Sequence, residues 1–168
     1  MAVFQRIKET NTLLSFIGNG KVNIVAGLRR AGKTYLLDTI FKNKISHDLK
    51  LYKENEIGIL YLDSFNKNIR SEAELDKALN DLATNGKKII IIDEVQLVEG
   101  FTSSLKAFVK MHSGITVYVT GSNSDILSKH IISLFQDSAE ILVVNPLTYK
   151  EIIEVIPDYP IDLYVAYG

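Results

Sequence analysis

The chain has 168 residues, of which 46% are hydrophobic and 23% are charged, and its formal net charge at pH 7 is −1. These values are ordinary for one globular domain, and the charge balance gives no reason to expect a nucleic-acid or membrane partner. The absence of cysteine excludes disulfides, thiolate metal sites and cysteine nucleophiles, and the three histidines lie too far apart in sequence to indicate a metal site.

The first predicted element is a helix within residues 4–17, where Phe4, Ile7 and Leu14 share a loosely helical face that ends at Gly18. We expect this helix to pack against a central sheet. The N-terminal residues lack the basic-then-apolar organisation of a signal peptide, and no apolar run approaches the length of a membrane span. The sequence therefore predicts a cytoplasmic protein.

The second element is the most informative one. Residues 21–26 are typical of a buried strand, the octet Gly27-Leu-Arg-Arg-Ala-Gly-Lys-Thr34 follows, and a helix is predicted from about Lys33 to Lys44. The octet fits the pattern G-x-x-x-x-G-K-T in the strand–loop–helix context that a P-loop requires. A glycine turn that happens to precede Lys-Thr is the alternative explanation.

The chemistry of phosphate binding explains this spacing. Gly27 and Gly32 let the backbone turn and approach a phosphate closely, so that the loop amides form a nest at the positive end of the next helix. Lys33 is expected to bridge the β- and γ-phosphates, and the hydroxyl of Thr34 is expected to bind magnesium. The predicted nucleotide-binding residues are Gly27, Leu28, Arg29, Arg30, Ala31, Gly32, Lys33, Thr34 and Tyr35.

The remaining elements alternate between strand and helix. A polar connector is predicted over residues 46–56, and Ser71 and Glu74 have the spacing of a capping box at the start of a helix. The other predicted strands cover residues 58–62, 87–94, 115–120 and 140–144, and the later helices cover residues 101–112, 124–135, 148–155 and 162–167. This alternation predicts a three-layer α/β fold of the P-loop NTPase kind, with a mostly parallel five-stranded sheet and right-handed crossovers.

The third strand carries four consecutive isoleucines and ends in Asp93 and Glu94, which is the pattern of a Walker B strand. Ligands bind at the carboxyl ends of strands in open α/β sheets, so Asp93 is the predicted magnesium residue and Glu94 the predicted catalytic base. A strand that simply ends in two solvated acids is the alternative.

The fourth strand ends in a polar tip, Thr120-Gly-Ser-Asn-Ser124. If this strand lies between the first and the third, Ser122 or Asn123 can hydrogen-bond the γ-phosphate or the attacking water, the role called sensor 1. The same residues can instead form a turn in which Ser124 caps the next helix, and the two interpretations are compatible.

The nucleotide is predicted to be ATP. A GTPase is expected to have an Asn-Lys-x-Asp motif, and both Asn-Lys pairs in this chain, at Asn43 and Asn66, lack the aspartate. A small-molecule kinase is a further alternative, although no residue marks a site for a phosphoryl acceptor.

With these motifs in place, the chain resembles the AAA+ ATPases, and in particular a group of uncharacterised bacterial and archaeal ATP-binding proteins related to the archaeal-type ATPases. The resemblance covers nearly the whole chain and is carried by the octet from Gly27, Ile91-Ile-Asp-Glu-Val-Gln96, the fourth-strand tip, and Asn145-Pro-Leu-Thr-Tyr-Lys-Glu151. It implies the sheet order 5-1-4-3-2, binding of ATP or ADP with magnesium, and Glu94 as catalytic base. It also implies an adenine pocket built partly from the N-terminal segment.

Two departures from the group qualify this resemblance. Its members usually have a Gly-Arg pair before the fifth strand, whereas this chain has no arginine after Arg70, so the source of an arginine finger is open, with Arg29 and Arg30 as candidates. Relatives also continue into a lid and a C-terminal domain. We therefore expect this chain to be the N-terminal part of a longer protein, with that further domain, another protein or an oligomer as partner.

Three functions follow as hypotheses. The first is a magnesium-dependent ATPase in which hydrolysis drives a conformational change, with weak activity in this part of the protein; Glu94 favours it. The second is a nucleotide-gated switch with little or no hydrolysis, favoured by the missing late arginine. The third is a DNA-associated ATPase, for which Lys87-Lys88 and the arginine pair in the loop give only local support.

Overall fold

The computed structural model describes residues 4–122, 126 and 129–167. Its centre is one five-stranded sheet in the order β2-β3-β4-β1-β5, and every strand pair is parallel. The predicted fold class and the predicted strand order are both confirmed. The strands are β1 Val22–Gly27, β2 Ile57–Tyr61, β3 Ile89–Asp93, β4 Thr116–Ser122 and β5 Ala139–Val143.

Helices connect the strands close to the predicted positions. The capping box at Ser71 and Glu74 is confirmed, since the Glu74 carboxylate accepts hydrogen bonds from the backbone amide and the hydroxyl of Ser71. The helices are α1 Ile7–Ser15, α2 Lys33–Tyr35, α3 Glu72–Thr84, α4 Phe101–Met111, α5 Lys129–Phe135, α6 Tyr149–Val155 and α7 Ile161–Tyr167. Short 3-10 turns lie at Glu54–Glu56, Val95–Leu97 and Gln136–Ser138.

The helix after the P-loop is longer than predicted. It continues beyond α2 as π-helical turns at Leu36–Phe41 and Lys44–Asp48, so the connector predicted from residue 46 begins later. Ile45 is fully buried, and the Leu49 amide donates to the Lys44 carbonyl oxygen at 2.9 Å. Burial of one apolar side chain therefore keeps the polar residues around it helical.

Apolar side chains cover both faces of the sheet and make two cores. On one face, α3, α4 and α5 pack against the strands through residues that include Leu75, Leu105 and Phe135. On the other face, α1 and the helix after the P-loop pack through Leu13 and Phe41. Both faces of a parallel sheet are thus covered, as such sheets require. In the described part of the chain, no helix is both long and apolar enough to cross a membrane.

The strand register brings the polar strand ends to one edge. Gly27 lies beside Ser122, and Asp93 lies beside Tyr61 on the neighbouring strand. Because all strands run the same way, the P-loop, the end of β3 and the tip of β4 share the carboxyl edge of the sheet.

Candidate functional site

The loop between β1 and α2 is shaped by two residues with left-handed backbone, Arg30 at φ 65° and Gly32 at φ 85°. The Ala31 amide donates to the Leu28 carbonyl oxygen at 3.1 Å, which closes the turn. Gly27 is needed for a different reason, because a Cβ atom built there would lie 2.2 Å from the carbonyl oxygen of Val144. Glycine at position 27 therefore lets the end of β1 lie directly against the segment after β5.

Lys33 is turned back into this loop. Its Nζ donates to the carbonyl oxygens of Gly27 and Leu28, at 3.0 and 2.9 Å, and only 5% of the residue is exposed. These partners are neutral, so the buried ammonium group has no counter-charge among them. A phosphate oxygen would be a stronger acceptor than these carbonyls, because it carries the opposite charge to the ammonium group.

Asp93, at the end of β3, is held by two hydroxyl groups from different elements. Its Oδ1 accepts from Thr34 Oγ1 at 2.9 Å and from Thr120 Oγ1 at 2.6 Å. Burial raises the pKa of the Asp93 carboxyl above its ordinary value, and the hydrogen bonds from the two threonines offset only part of that effect. The P-loop and the ends of two central strands therefore meet at one carboxylate.

This pair of oxygen donors is suited to magnesium. Magnesium prefers oxygen ligands and keeps several waters, so its sites use one or two protein groups together with substrate phosphates. Thr34 and Asp93 supply such groups next to the phosphate loop. Within the described ranges, no set of three or more His, Cys, Asp or Glu side chains is arranged to hold a metal without a substrate.

Glu94 is fixed at both its backbone and its side chain. Its backbone is left-handed, with φ 58°, and its amide donates to Thr120 Oγ1 at 3.0 Å. Its carboxylate accepts a hydrogen bond from Nε2 of Gln96. A non-glycine residue with this backbone costs free energy and marks a position that the surrounding structure determines.

A cleft of about 130 Å³ lies beside the loop and is lined in part by Arg30, Ala31 and Gly32. Phe4 and Tyr35 supply aromatic rings, Pro146 and Leu147 supply apolar surface, and Arg30 supplies a charged group. A flat apolar ring with polar edges suits such a lining.

Arg6 connects this cleft to the loop. Its guanidinium group donates to the carbonyl oxygens of Ala31 and Asn145, at 3.3 and 2.9 Å, and pairs with Glu9 at 3.4 Å. The side chain is 8% exposed. One arginine therefore ties together the N-terminal segment, the phosphate loop and the segment after β5.

The structure brings most of the predicted site residues to one edge of the sheet. Lys33, Thr34, Asp93 and Glu94 lie there with the rest of the loop, and Ser122 lies at the adjacent tip of β4. Asn123, the other sensor candidate, and the cap predicted at Ser124 lie outside the described residues. The roles assigned to all these residues stay predictions.

Sequence reasoning missed the contributions of Thr120, Gln96 and Arg6. Thr120 is fully buried and binds both the Asp93 side chain and the Glu94 amide. The sequence pattern that could have revealed Thr120 is a threonine at the end of the apolar run of β4, beside the acidic end of the neighbouring strand β3. Arg6 has no comparable signal, because its partner Asn145 is 139 residues away.

Comparison with known proteins identifies the family of this chain. A protein-family model described as an AAA domain matches residues 19–153. An uncharacterized protein of Methanocaldococcus jannaschii is 30% identical over 135 residues, which are 80% of this chain and 28% of that protein. An uncharacterized protein of Haemophilus influenzae is 24% identical over 157 residues, which are 89% of this chain and 37% of that protein. The chain thus spans well under half the length of these curated relatives.

Solved structures share the fold at low sequence identity. Hsp104 of S. cerevisiae, in a casein complex, gives a TM-score of 0.61 at 12% identity, covering 97% of this chain and 30% of that one. Domain III of the Thermotoga maritima replication initiation protein DnaA gives a TM-score of 0.57 at 16% identity. The match covers 96% of this chain and 68% of that one. The Pif1 helicase of Candida albicans gives a TM-score of 0.51 at 15% identity. The match covers 89% of this chain and 42% of that one.

Proposed function

This chain belongs to the AAA domain family as an ATP-binding domain, and from that premise we propose that it hydrolyses ATP with magnesium and transmits the result as a conformational change. The observation that carries the proposal is the shared carboxylate of Asp93, which accepts hydrogen bonds from the P-loop hydroxyl of Thr34 and from Thr120 of β4. This contact joins the predicted phosphate loop to the predicted Walker B strand.

The loop and Lys33 are proposed to bind the phosphates. The loop amides and the N-terminus of the following helix favour negative charge, and Lys33 can exchange its two carbonyl partners for phosphate oxygens. Magnesium bound by Thr34 and Asp93 would neutralise part of the phosphate charge. Thr120 keeps Asp93 oriented by donating to the same oxygen.

Glu94 is proposed to accept a proton from the water that attacks the γ-phosphate. Glu94 follows Asp93 directly in the sequence, so we place its carboxylate near the predicted metal. The hydroxyl groups of Thr34 and Thr120 donate to Asp93 and not to the Glu94 carboxylate. Its fixed backbone and side chain limit the reorganisation that the attack requires.

The cleft beside the loop is proposed to hold the adenine base. It lies next to the predicted phosphate loop, its rings from Phe4 and Tyr35 could stack on a base, and Arg6 and Arg30 also line it. The N-terminal segment, including Phe4 and Arg6, would then be part of the nucleotide site.

A nucleotide-gated switch with slow hydrolysis is the second candidate. One observation favours it: this sequence has no arginine after Arg70, so within it Arg29 and Arg30 are the candidates for neutralising the transition state, and any further arginine would come from outside these residues. The matched regions make up only 28% and 37% of the two relatives, which is compatible with such a contribution from elsewhere.

The test separates binding from turnover. Lys33→Ala should weaken ATP binding by about 100-fold or more, equivalent to roughly 2.7 kcal/mol, because it removes the charge that the loop directs at the phosphates. Lys53→Ala, at an exposed position far from the loop in sequence, is the control and should bind as the wild type does. Calorimetry with unchanged affinity for Lys33→Ala would reject the assignment of the loop.

Glu94→Gln should bind ATP normally and lose turnover by roughly 10²- to 10⁴-fold, since an amide cannot accept the proton. Glu99→Gln, at an exposed position a few residues later, is the matched control. Phosphate release is measured with magnesium and again with EDTA. Equal release by Glu94→Gln and wild type would remove Glu94 as the base, and ATP binding without any turnover would favour the switch.

A further inference from the structure

We propose that Gln96 is a positioning residue that holds the Glu94 carboxylate in the orientation needed for attack on ATP. The inference rests on the proposed hydrolysis and adds a residue to it. Gln96 lies in the 3-10 turn Val95–Leu97 that directly follows Glu94, so its side chain can fold back onto the end of β3.

The two halves of the Gln96 amide have different surroundings. Nε2 donates to Oε2 of Glu94. Oε1 is buried and accepts no hydrogen bond from the described residues. A buried acceptor without a donor is unfavourable, so the amide as a whole is not explained by its contribution to stability. What the amide does make is the bond to Glu94.

The room for this amide comes from Gly121 on β4. A Cβ atom built at Gly121 would lie 2.8 Å from Oε1 of Gln96, so the side chain packs directly on the backbone of that strand. Gln96 therefore lies between the Glu94 carboxylate and the tip of β4. Its conformation is limited by packing on one side and by a hydrogen bond on the other.

Glu94 is thereby held at two points. Thr120 of β4 accepts from its amide, and Gln96 donates to its carboxylate. The left-handed backbone of Glu94 and the buried oxygen of Gln96, which has no partner among the described residues, are two unfavourable features in one short turn. Such features persist at sites where geometry matters more than stability. Here these two features keep the Glu94 carboxylate in one orientation, so that it does not have to be reoriented during the reaction.

The test uses Gln96→Met, which keeps the length of the side chain and removes both polar atoms. The kcat should fall roughly 10- to 100-fold because the base is no longer fixed. The Kd for ATP should stay within about twofold, since the hydrogen bond of Gln96 goes to Glu94 and not to the phosphate loop. The denaturation midpoint should stay the same or rise, because the variant removes a buried oxygen that has no partner among the described residues. A residue with only a structural role gives the reverse, a lower midpoint with an unchanged kcat.

Two further variants identify the route of the effect. Gln96→Glu keeps the shape and Oε1 but cannot donate, so its kcat should fall at least as far as that of Gln96→Met. In a Glu94→Asp background, where the shorter carboxylate is out of reach, adding Gln96→Met should change the remaining kcat by less than about twofold. A full loss in that background would show that Gln96 acts on something other than Glu94 and would overturn the inference.

The outcomes also distinguish this inference from the proposed function. If the wild type releases no more phosphate than Lys33→Ala, hydrolysis itself is wrong and the inference falls with it. If the wild type turns over, Glu94→Gln does not, and Gln96→Met matches the wild type, hydrolysis stands and only the inference is overturned.

Discussion

The two sides of the P-loop are built in different ways. On the phosphate side, Lys33, Asp93 and Thr120 are buried, and their hydrogen bonds go to backbone or side chains of the loop and the central strands. On the side of the cleft, Phe4 and Leu147 come from segments before β1 and after β5, and Arg6 is their polar link to the loop. The phosphate side is thus part of the sheet, whereas the cleft combines the loop and the helix after it with segments from before β1 and after β5.

This difference indicates where stability and adaptability lie. Groups fixed by central strands open only with the whole domain, while peripheral segments with few partners can open locally at lower cost. We therefore expect changes on the phosphate side to affect the whole fold, and changes on the cleft side to affect mainly the cleft and the adenine binding proposed for it. The following variants test this expectation, from the largest effect to the smallest.

Gly27→Ala should have the largest effect, because this residue packs against backbone at the end of β1. The new Cβ would lie 2.2 Å from the Val144 carbonyl oxygen, and the clash is with backbone rather than with a flexible side chain. We expect a loss of about 3 kcal/mol in the free energy of unfolding, measured with urea. Gly114→Ala, where no atom lies within 4 Å of the new Cβ, is the control and should change it by less than about 0.5 kcal/mol. A cost below about 1 kcal/mol would show that the junction can adapt.

Arg6→Met should separate the cleft from the loop. It keeps much of the length of the side chain and removes the donors to Ala31 and Asn145. We expect a loss of about 2 kcal/mol in unfolding free energy, together with faster hydrogen exchange in the N-terminal segment than in β3. Arg29→Met, in the exposed part of the loop, is the comparison. If hydrogen exchange in Arg6→Met were equally slow in the N-terminal segment and in β3, the difference between the two sides of the loop would be contradicted.

Arg30→Gly should stabilise the domain, because glycine adopts the left-handed backbone without a side-chain penalty. The expected gain is about 1 kcal/mol. Arg29→Gly is the matched control at the neighbouring position and should cost up to about 1 kcal/mol, because Arg29 does not have a positive φ. If both variants lose stability, the left-handed backbone of Arg30 carries no cost.

The smallest effect is a pH dependence of the phosphate side. The pKa of Asp93 is raised in the folded chain, so its favourable contribution is present below the pKa of the unfolded chain and is lost as the pH rises through the folded value. The Tm of the wild type minus that of Asp93→Asn should therefore decrease by a few degrees from about pH 4 upward. A difference that increases with pH would mean that the hydroxyl groups of Thr34 and Thr120 outweigh burial.

The same division explains what the sequence could predict. The loop, Asp93 and Glu94 follow from local patterns, because a strand end and a glycine-rich turn are coded within a few residues. The capping box at Ser71 is local in the same sense, and it is confirmed. The strand order was reached through the family resemblance, and the structure confirms it.

Contacts between distant segments could not be predicted in this way. Arg6 meets Asn145 only after the fold has formed, and the amide of Gln96 acquires its role from the packing of Gly121. The π-helical turns up to Asp48 likewise depend on burial of Ile45, which a polar local sequence does not reveal. Long-range contacts therefore account for most of what was missed.

The position of β1 in the sheet has a consequence for synthesis. Val22 pairs with Val117 on one side and with Ala139 on the other, so both neighbours of β1 are encoded about a hundred residues later. At translation rates of about 5 to 20 residues per second, the emerging P-loop strand has to wait on the order of ten seconds for its partners. During that interval it is an unpaired apolar segment, which makes this part of the nascent polypeptide a candidate binding site for a chaperone at the ribosome.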